Sequence, residues 1–440
     1  SFDTMSDMKD KQIQKLLEAE KNRQKSVINL IASENIVSKD VLTALGSELT
    51  NKYSEGYPGH RYYGGNEIVD QIEILAQERA LKLFKIDKKS VGKKNAVSTA
   101  GKWSVNVQPL SGSPANLAVY TALVPQGEKI MGMSLSHGGH LTHGHFVSAT
   151  GKFWRQVSFG VDEKTEMIDY VALKKIAVAE KPKIIVCGFT AYPRVVDFKK
   201  FREIANVVKL EDGTHPILMC DMSHFAGLVA GGEYNSPFEY CDIVTTTVHK
   251  TLRGPRSAMI FSRNDKYFNL EKINKKTGEK EIKKEVFSNL IDKAVFPGLQ
   301  GGPHNNQIAA VAIALKEADS VEFKKYAKQV KKNAIMLANE LSKRGWHVIS
   351  GGTDSHLVLV DVWMGGVKNE NGAGGLTGQQ ASDKLEKAGI IVNKNTIPGE
   401  PRSAFDPSGI RLGSAAETTR GKKETDFKKL AERIDGVLKK

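Results

Sequence analysis

The sequence predicts an α/β protein: a large domain on a mostly parallel sheet, followed by a smaller α+β domain toward the C-terminus. Three observations carry that prediction. Short apolar, β-branched runs recur at Lys183–Cys187, Pro216–Cys220, Asp242–Thr246 and Ala258–Phe261. Helical periods separate several of them, as at Phe198–Lys209, which points to parallel strands covered on both faces. The alternation then restarts after Trp346. With 440 residues, the chain is also too long for one ordinary core.

In chain order, residues 1–60 form an N-terminal segment, with a helix over Asp10–Lys25 and then extended, turn-rich sequence. Residues 61–304 form the large domain. A long helical pattern, interrupted near Ser320, fills the connection 305–345. The small domain, 346–440, reads as a strand His356–Val362, a glycine-rich loop Gly365–Gly378 and a helix Gln379–Ala388. A strand Ile390–Asn393 and a terminal helix from Glu424 complete it.

Composition narrows the function classes. No apolar stretch approaches the length of a membrane span, and Ser1–Lys25 carries charges throughout without the apolar core of a secretory signal. Cys187, Cys220 and Cys241 are widely spaced in strand-like runs, which suits buried thiols in a reducing, cytoplasmic setting and neither a disulfide framework nor a zinc site. The net charge is +14, but the lysines of the runs 272–284 and 324–332 read as solvated helix faces. They lack the interleaved aromatics of a single-strand groove, so nucleic acid is not the expected partner.

The chemistry begins at Thr245-Thr246-Thr247-Val248-His249-Lys250, which leaves a strand end. Burial there lowers a lysine's pKa and makes its amine a nucleophile toward an aldehyde. Alone this is a weak signal, because strand-end lysines more often sit in solvent. Asp221 ends another strand; it can pair with a protonated pyridine nitrogen or simply cap a helix. Ser111-Gly112-Ser113-Pro114 precedes an apolar helical run and offers hydroxyls and free amides to an anion, as any capped helix does. The cluster Phe296–Pro303 could bring bare backbone close to a phosphate. In His137–His145, the glycines argue for a turn and no carboxylate or thiol completes a metal shell, so no metal is expected. One imidazole could lie against a flat cofactor; His137, His143 and His145 read as turn and surface histidines.

Long motifs then identify a resemblance. Leu30–Asn35, LTNKYSEGYPGHRYYGG at Leu49–Gly65, Asn106–Leu123, Gly138–Gly144, CDMSHFAGLV at Cys220–Val229, Thr245–Arg256, Phe296–His304 and SGIRLG at Ser408–Gly413 resemble serine hydroxymethyltransferases over nearly the whole length. The resemblance implies a fold-type-I, aspartate aminotransferase-like enzyme that uses pyridoxal 5'-phosphate. It would interconvert L-serine and glycine with tetrahydrofolate as co-substrate. Two subunits of a homodimer, which can pair into a tetramer, would share the sites.

Position by position, the resemblance implies that Lys250 binds the cofactor covalently, Asp221 holds its pyridine nitrogen and His140 stacks on its ring. His224 and Thr190 would lie near its 3′-oxygen. Ser111, Gly112 and Ser113 would bind the phosphate, helped by Tyr53, Gly301 and Gly302 of the other subunit, with Arg256 in support. Arg411, with Ser33, would fix the substrate carboxylate. Glu55 of the other subunit would be the acid-base group beside Tyr63, and Thr247 and His249 would flank the lysine. For folate, the matching positions are Tyr62, Leu135, Gly139, His140, Leu141, Asn395, Ser403, Ala404 and Phe405.

Five positions depart from the family's usual pattern. Val248 stands where threonine is usual, Ser223 where alanine is common, and Ala404 and Asp406-Pro407 alter the run before SGIR. The first two flank cofactor positions; the others lie in the folate loop. A folate-independent aldolase of the same cofactor class, or an RNA-binding protein on the same scaffold, would be the alternatives.

Overall fold

The structure is a computed structural model that describes residues 8–86, 102–273, 278–364 and 375–440. Most of the glycine-rich loop expected at 365–378 lies outside them. Its centre is a seven-stranded sheet of β1 (Trp103–Asn106), β2 (Lys129–Met133), β3 (Arg155–Phe159), β4 (Ile184–Val186), β5 (Ile217–Asp221), β6 (Ile243–Thr247) and β7 (Ala258–Arg263). The order is β1-β7-β6-β5-β4-β2-β3, with β7 antiparallel to both neighbours and the other pairs parallel.

The period-two geometry of a strand explains why these runs are apolar throughout. Ile185, Leu218, Cys220 and Val244 point into one core, while Ile184, Val186, Met219 and Ile243 point into the opposite one. The helix Gly112–Leu123 closes that second face with Ala115, Val119 and Leu123. Parallel strands joined by crossovers leave their carboxyl ends along one edge, and β5 and β6 deliver Asp221 and the run to Lys250 there.

A second, antiparallel sheet contains β8 (Leu357–Asp361) and β9 (Gly409–Gly413), flanked by His347–Val348 and Asn393–Asn395. The helix Val321–Lys343 serves both cores. Phe323, Tyr326, Ala327 and Val330 pack against the large one; Ala334, Leu337, Ala338 and Leu341 continue the same stripe into the small one. The helical interruption falls where the sequence places it, with Ser320 Oγ capping the Phe323 amide at 3.1 Å. The N-terminal segment joins the small sheet's core: Ile28–Asn29 pairs with Ile390–Ile391, and Leu30 is buried there.

One expectation fails. The described parts of the lysine run 272–284 do not lie on a helix face: Tyr267–Ile273 and Lys280–Val286 form a two-stranded ribbon. Alternating lysine and glutamate leave no apolar period, so these residues carry no strand signal to read.

Candidate active site

Lys250 stands three residues beyond β6 and is 9% exposed. Its carbonyl accepts from Asn35 Nδ2 at 2.9 Å, and Asn35 in turn donates to Tyr326 Oη and accepts from Thr419 Oγ1. The main chain at the lysine is thus held by two other segments. Among the described residues, no hydrogen bond or ion pair engages the Lys250 amine. Burial lowers its pKa to about 8, although Asp221 acts to raise it.

Asp221 is the most heavily bonded carboxylate of the region. Its Oδ2 accepts from Asn116 Nδ2 at 2.8 Å and contacts His143 Nε2 at 3.2 Å; its Oδ1 accepts from Ser223 N at 3.1 Å and Ser223 Oγ at 2.5 Å. Burial alone would raise its pKa. The hydrogen bond and charge of His143, with His140 and Ser223, outweigh burial and hold the carboxyl far below its usual range. Asp221 is therefore a fixed anion. The unusual Ser223 does structural work here, since its Oγ also accepts from Thr247 N at 2.9 Å.

His143 overturns the reading of it as a turn or surface histidine. It is fully buried, and its Nδ1 accepts the His140 amide at 3.3 Å, which leaves the proton at Nε2 facing Asp221. His140, three residues earlier on the same loop, has its Nδ1 engaged by Thr142 Oγ1 at 2.7 Å and Thr142 N at 3.1 Å. Burial lowers His140 to about 4, so its ring is neutral. Thr142 Oγ1 accepts from Asn116 Nδ2, and Asn116 Oδ1 accepts from Thr245 Oγ1. Asn116 thus ties His140, Asp221 and β6 together, a role its place in SGSPAN did not announce.

The anion candidate lies over the same strand ends. A Cβ on Gly112 would meet Thr247 Cγ2 at 2.7 Å, so only glycine lets the helix start approach β6 this closely. Ser111 occupies the N-cap without a side-chain capping bond, which leaves its hydroxyl and the first helical amides available. Thr247 Oγ1 and His249 Nδ1 are buried without a partner, and burial, then Lys250 and Arg256, hold His249 down to about 3. His249 and Arg256 line a cleft of about 330 Å³ together with Ser33 and Asn35.

Arg411 projects from β9 and is 7% exposed. Its Nη1 donates to the Thr190 carbonyl at 2.9 Å and its Nε to Asn393 Oδ1 at 3.2 Å. No carboxylate faces it among the described residues, and burial brings its pKa to about 10. A buried guanidinium without an anion is costly unless a ligand supplies one. His224, also buried, has Lys250 and Arg411 as its nearest cationic influences.

The remaining residues form a separate cluster. The ring of Tyr53 lies where a Cβ on Gly302 would stand, 2.9 Å from its Cζ, and Glu55 Oε1 is 3.3 Å from the corresponding point on Gly301. Tyr53, Tyr62 and Tyr63 meet edge to face at 5.5 and 5.3 Å, and Glu55 raises the Tyr63 pKa. Tyr62 is 80% exposed. Among the described residues, no hydrogen bond, ion pair or ring contact joins this cluster to Lys250, Asp221 or His140.

Of the positions expected to contact folate, Leu135–Leu141 and Asn395 lie on two facing loops. Thr396 Oγ1 reaches the Leu135 carbonyl at 3.4 Å, which brings Asn395 beside the turn that carries Gly139 and Leu141. A Cβ at Gly139 would strike the Met133 carbonyl at 1.9 Å. Ser403, Ala404 and Phe405 are exposed on a loop clamped by Arg402, whose fork holds Asp406 and whose charge lies 4.2 Å over Trp363. Among the described residues, no three His, Cys, Asp or Glu side chains are placed to hold a metal, and no helix is long and apolar enough to cross a membrane.

A parallel sheet with a lysine and a fixed carboxylate at its carboxyl edge, beside a glycine-started helix, defines the fold-type-I class of pyridoxal-phosphate enzymes. The residues suit that cofactor: an unbonded buried amine, a carboxylate for a pyridinium, and an uncapped helix start for a phosphate. A family model described as serine hydroxymethyltransferase matches residues 6–434, and the chain belongs to that family. It is 47% identical to the serine hydroxymethyltransferase of Desulfotalea psychrophila, over 99% of this chain and 90% of the relative. A cytosolic serine hydroxymethyltransferase of Candida albicans is 48% identical over 97% and 84%. A mitochondrial one of Candida glabrata is 46% identical over 98% and 83%.

Proposed function

We propose that the chain interconverts L-serine and glycine, exchanging the one-carbon unit with tetrahydrofolate to give 5,10-methylenetetrahydrofolate. The observation that carries this is Arg411, a buried guanidinium whose only acceptors among the described residues are neutral oxygens, set where its charge is felt by the buried amine of Lys250. An amino acid offers that pair what each lacks.

Pyridoxal phosphate, when bound, supplies an electron sink for the bond broken at the substrate's α-carbon. The chain's own residues do the rest. Lys250, with a pKa near 8, keeps part of its amine neutral and nucleophilic at physiological pH. Asp221 remains ionised and would hold a proton at the cofactor's ring nitrogen. The neutral face of His140 suits stacking, and His224 and Thr190 would hold the cofactor's 3′-oxygen. Ser111, Gly112 and Ser113 hold the phosphate at the helix start. Arg411, assisted by Ser33, would grip the substrate carboxylate through its guanidinium fork and so orient the substrate. Thr247, His249 and Arg256 shape the wall beside the lysine.

Tyr53, Glu55, Tyr63, Gly301 and Gly302 act in the site of a second copy. Their own surroundings support this, since the aromatic cluster is exposed and unjoined to the lysine side. Glu55 there moves the proton of the serine hydroxyl or of the folate adduct. Tyr62, Leu135, Gly139, Leu141, Asn395 and Ser403–Phe405 contact folate. The cytosol is the compartment the three free, buried thiols favour.

The test is glycine formation from L-serine by purified protein loaded with pyridoxal phosphate, with and without tetrahydrofolate. Strong acceleration by tetrahydrofolate is the expected result. Equal rates in both arms would instead make the chain a folate-independent aldolase.

A further inference from the structure

His356 has no part in the chemistry above, yet it is 1% exposed and reaches the site. It immediately precedes β8, and its carbonyl accepts from Ser414 N at 2.9 Å and Ser414 Oγ at 3.2 Å. Those bonds fasten it beside the end of β9, the strand that carries Arg411. On the other side its Nε2 lies 3.3 Å from Nδ1 of His224, and the two rings stack with centroids 5.4 Å apart at 26°. Behind the pair is a cavity of only about 10 Å³, walled by Phe189, Tyr192, Phe225 and Tyr234. That space admits one water at most, so the contact is packed and is not a second ligand pocket.

We propose that His356 is a positioning residue for His224: by engaging Nδ1, it presents Nε2 as the ring nitrogen that faces the cofactor. A ring flip of an imidazole exchanges a nitrogen for a carbon at each edge, so a partner on one nitrogen is what selects the orientation. Both rings are neutral. Burial, then the charges of Arg411 and Lys250, brings His356 to about 3, and the same causes hold His224 well below its ordinary value. Two neutral rings share one N–H across the contact, so it is a hydrogen bond without charge repulsion. The nitrogen offered to the cofactor is thereby set from the sheet that also carries the carboxylate anchor.

The inference rests on the placement of pyridoxal phosphate against His224, and two measurements separate the two. In ¹⁵N-histidine-labelled wild-type protein, the His224 ring should show one fixed tautomer, insensitive to pH between about 6 and 9. In His356→Phe, which keeps the stack but removes the bond, the two tautomers of His224 should average. Titration with pyridoxal phosphate should find His356→Phe weaker by about tenfold, and His356→Gln, whose amide can reach the same nitrogen, mostly restored. Equal melting temperatures of the two variants would exclude a general packing defect. The proposal falls if wild-type His224 already averages between tautomers, if His356→Phe binds like wild type, or if His356→Gln is as weak as His356→Phe. The wild-type spectrum decides even if the variants fail to fold. Should wild-type protein take up no pyridoxal phosphate, the cofactor reading itself fails and the proposal with it.

Discussion

The half of the site around Lys250 and the half around Tyr53 are built on opposite physical terms. Around Lys250 the polar groups are buried and its carboxylate and amide are held: Asp221 has four bonds from three residues, Asn116 joins three segments, and Gly112 and Gly139 allow contacts no other residue would. Around Tyr53 the rings are exposed and touch mainly one another. A preorganised pocket fixes charges before the ligand arrives, whereas an exposed aromatic patch acquires its environment from whatever covers it. The first half can be understood within one chain. The second, including the acid-base candidate Glu55, leaves its rings open to whatever surface covers them.

The largest expected effect lies in the buried half. Lys250→Ala should lower serine turnover on the order of 10⁴-fold and abolish attachment of borohydride-reduced pyridoxal phosphate to the peptide Thr245–Arg256. A label on another lysine would break the picture of one reserved amine. The same burial predicts a pH effect on the protein without cofactor. Because the folded amine binds its proton less tightly than the unfolded one, the folded state is penalised below about pH 8 and relieved as pH rises toward 10.5. Lys250→Met should therefore stabilise the cofactor-free protein at pH 7 by up to about 3 kcal/mol in urea denaturation, with the gain fading above pH 8.

Arg411 comes next. Arg411→Ala should weaken binding of serine and glycine by about 2–5 kcal/mol, read from KM or glycine titration, because the buried carboxylate loses a bidentate partner. Arg411→Lys should recover little, having a point charge where a fork is needed. Near-normal serine affinity in the lysine variant would remove Arg411 from the carboxylate role.

Mixing subunits sharpens the comparison itself. Lys250→Ala and Glu55→Gln homodimers should each be nearly inactive. After joint unfolding and refolding, heterodimers should hold one site with both lesions and one with neither, restoring up to about a quarter of wild-type sites. If both residues of a site came from one chain, every site would keep a lesion and activity would not return.

How much of this could be read from residues alone follows the same division. Four of the seven strands of the large sheet, β4 to β7, were legible because burial on both faces demands unbroken apolar runs, and Lys250 and Asp221 were visible as charges stranded at their ends. The ribbon over 267–286 was not, since its solvated strands need no apolar period. His143 was hidden because a Gly-flanked histidine looks like a surface turn. Only the packing of its loop onto β2, where a Cβ on Gly132 would stand 2.7 Å from the His143 carbonyl, shows that it is driven inward to Asp221. Asn116 and His356 act through partners more than a hundred residues away, or on another sheet, which no local pattern encodes.

The smallest effect tests whether the buried half is over-determined, as its bond count implies. Ser223 is the departure nearest the catalytic carboxylate. Its hydroxyl gives Asp221 one of four bonds and gives the Thr247 amide its acceptor. Ser223→Ala leaves Asn116, His143 and the residue's own amide on Asp221, so the carboxyl should stay ionised at neutral pH. Serine turnover should then change by no more than about threefold, a barrier change well under 1 kcal/mol. The Thr247 amide, however, is buried and loses its partner, which should cost about 1–2 kcal/mol of stability in denaturant. The two readouts are expected to separate, with stability falling and catalysis holding. A loss of turnover beyond about tenfold with unchanged stability would mean that the Ser223 hydroxyl tunes Asp221 directly. The anion beneath the cofactor would then depend on a single bond, and the buried half would be as conditional as the exposed one.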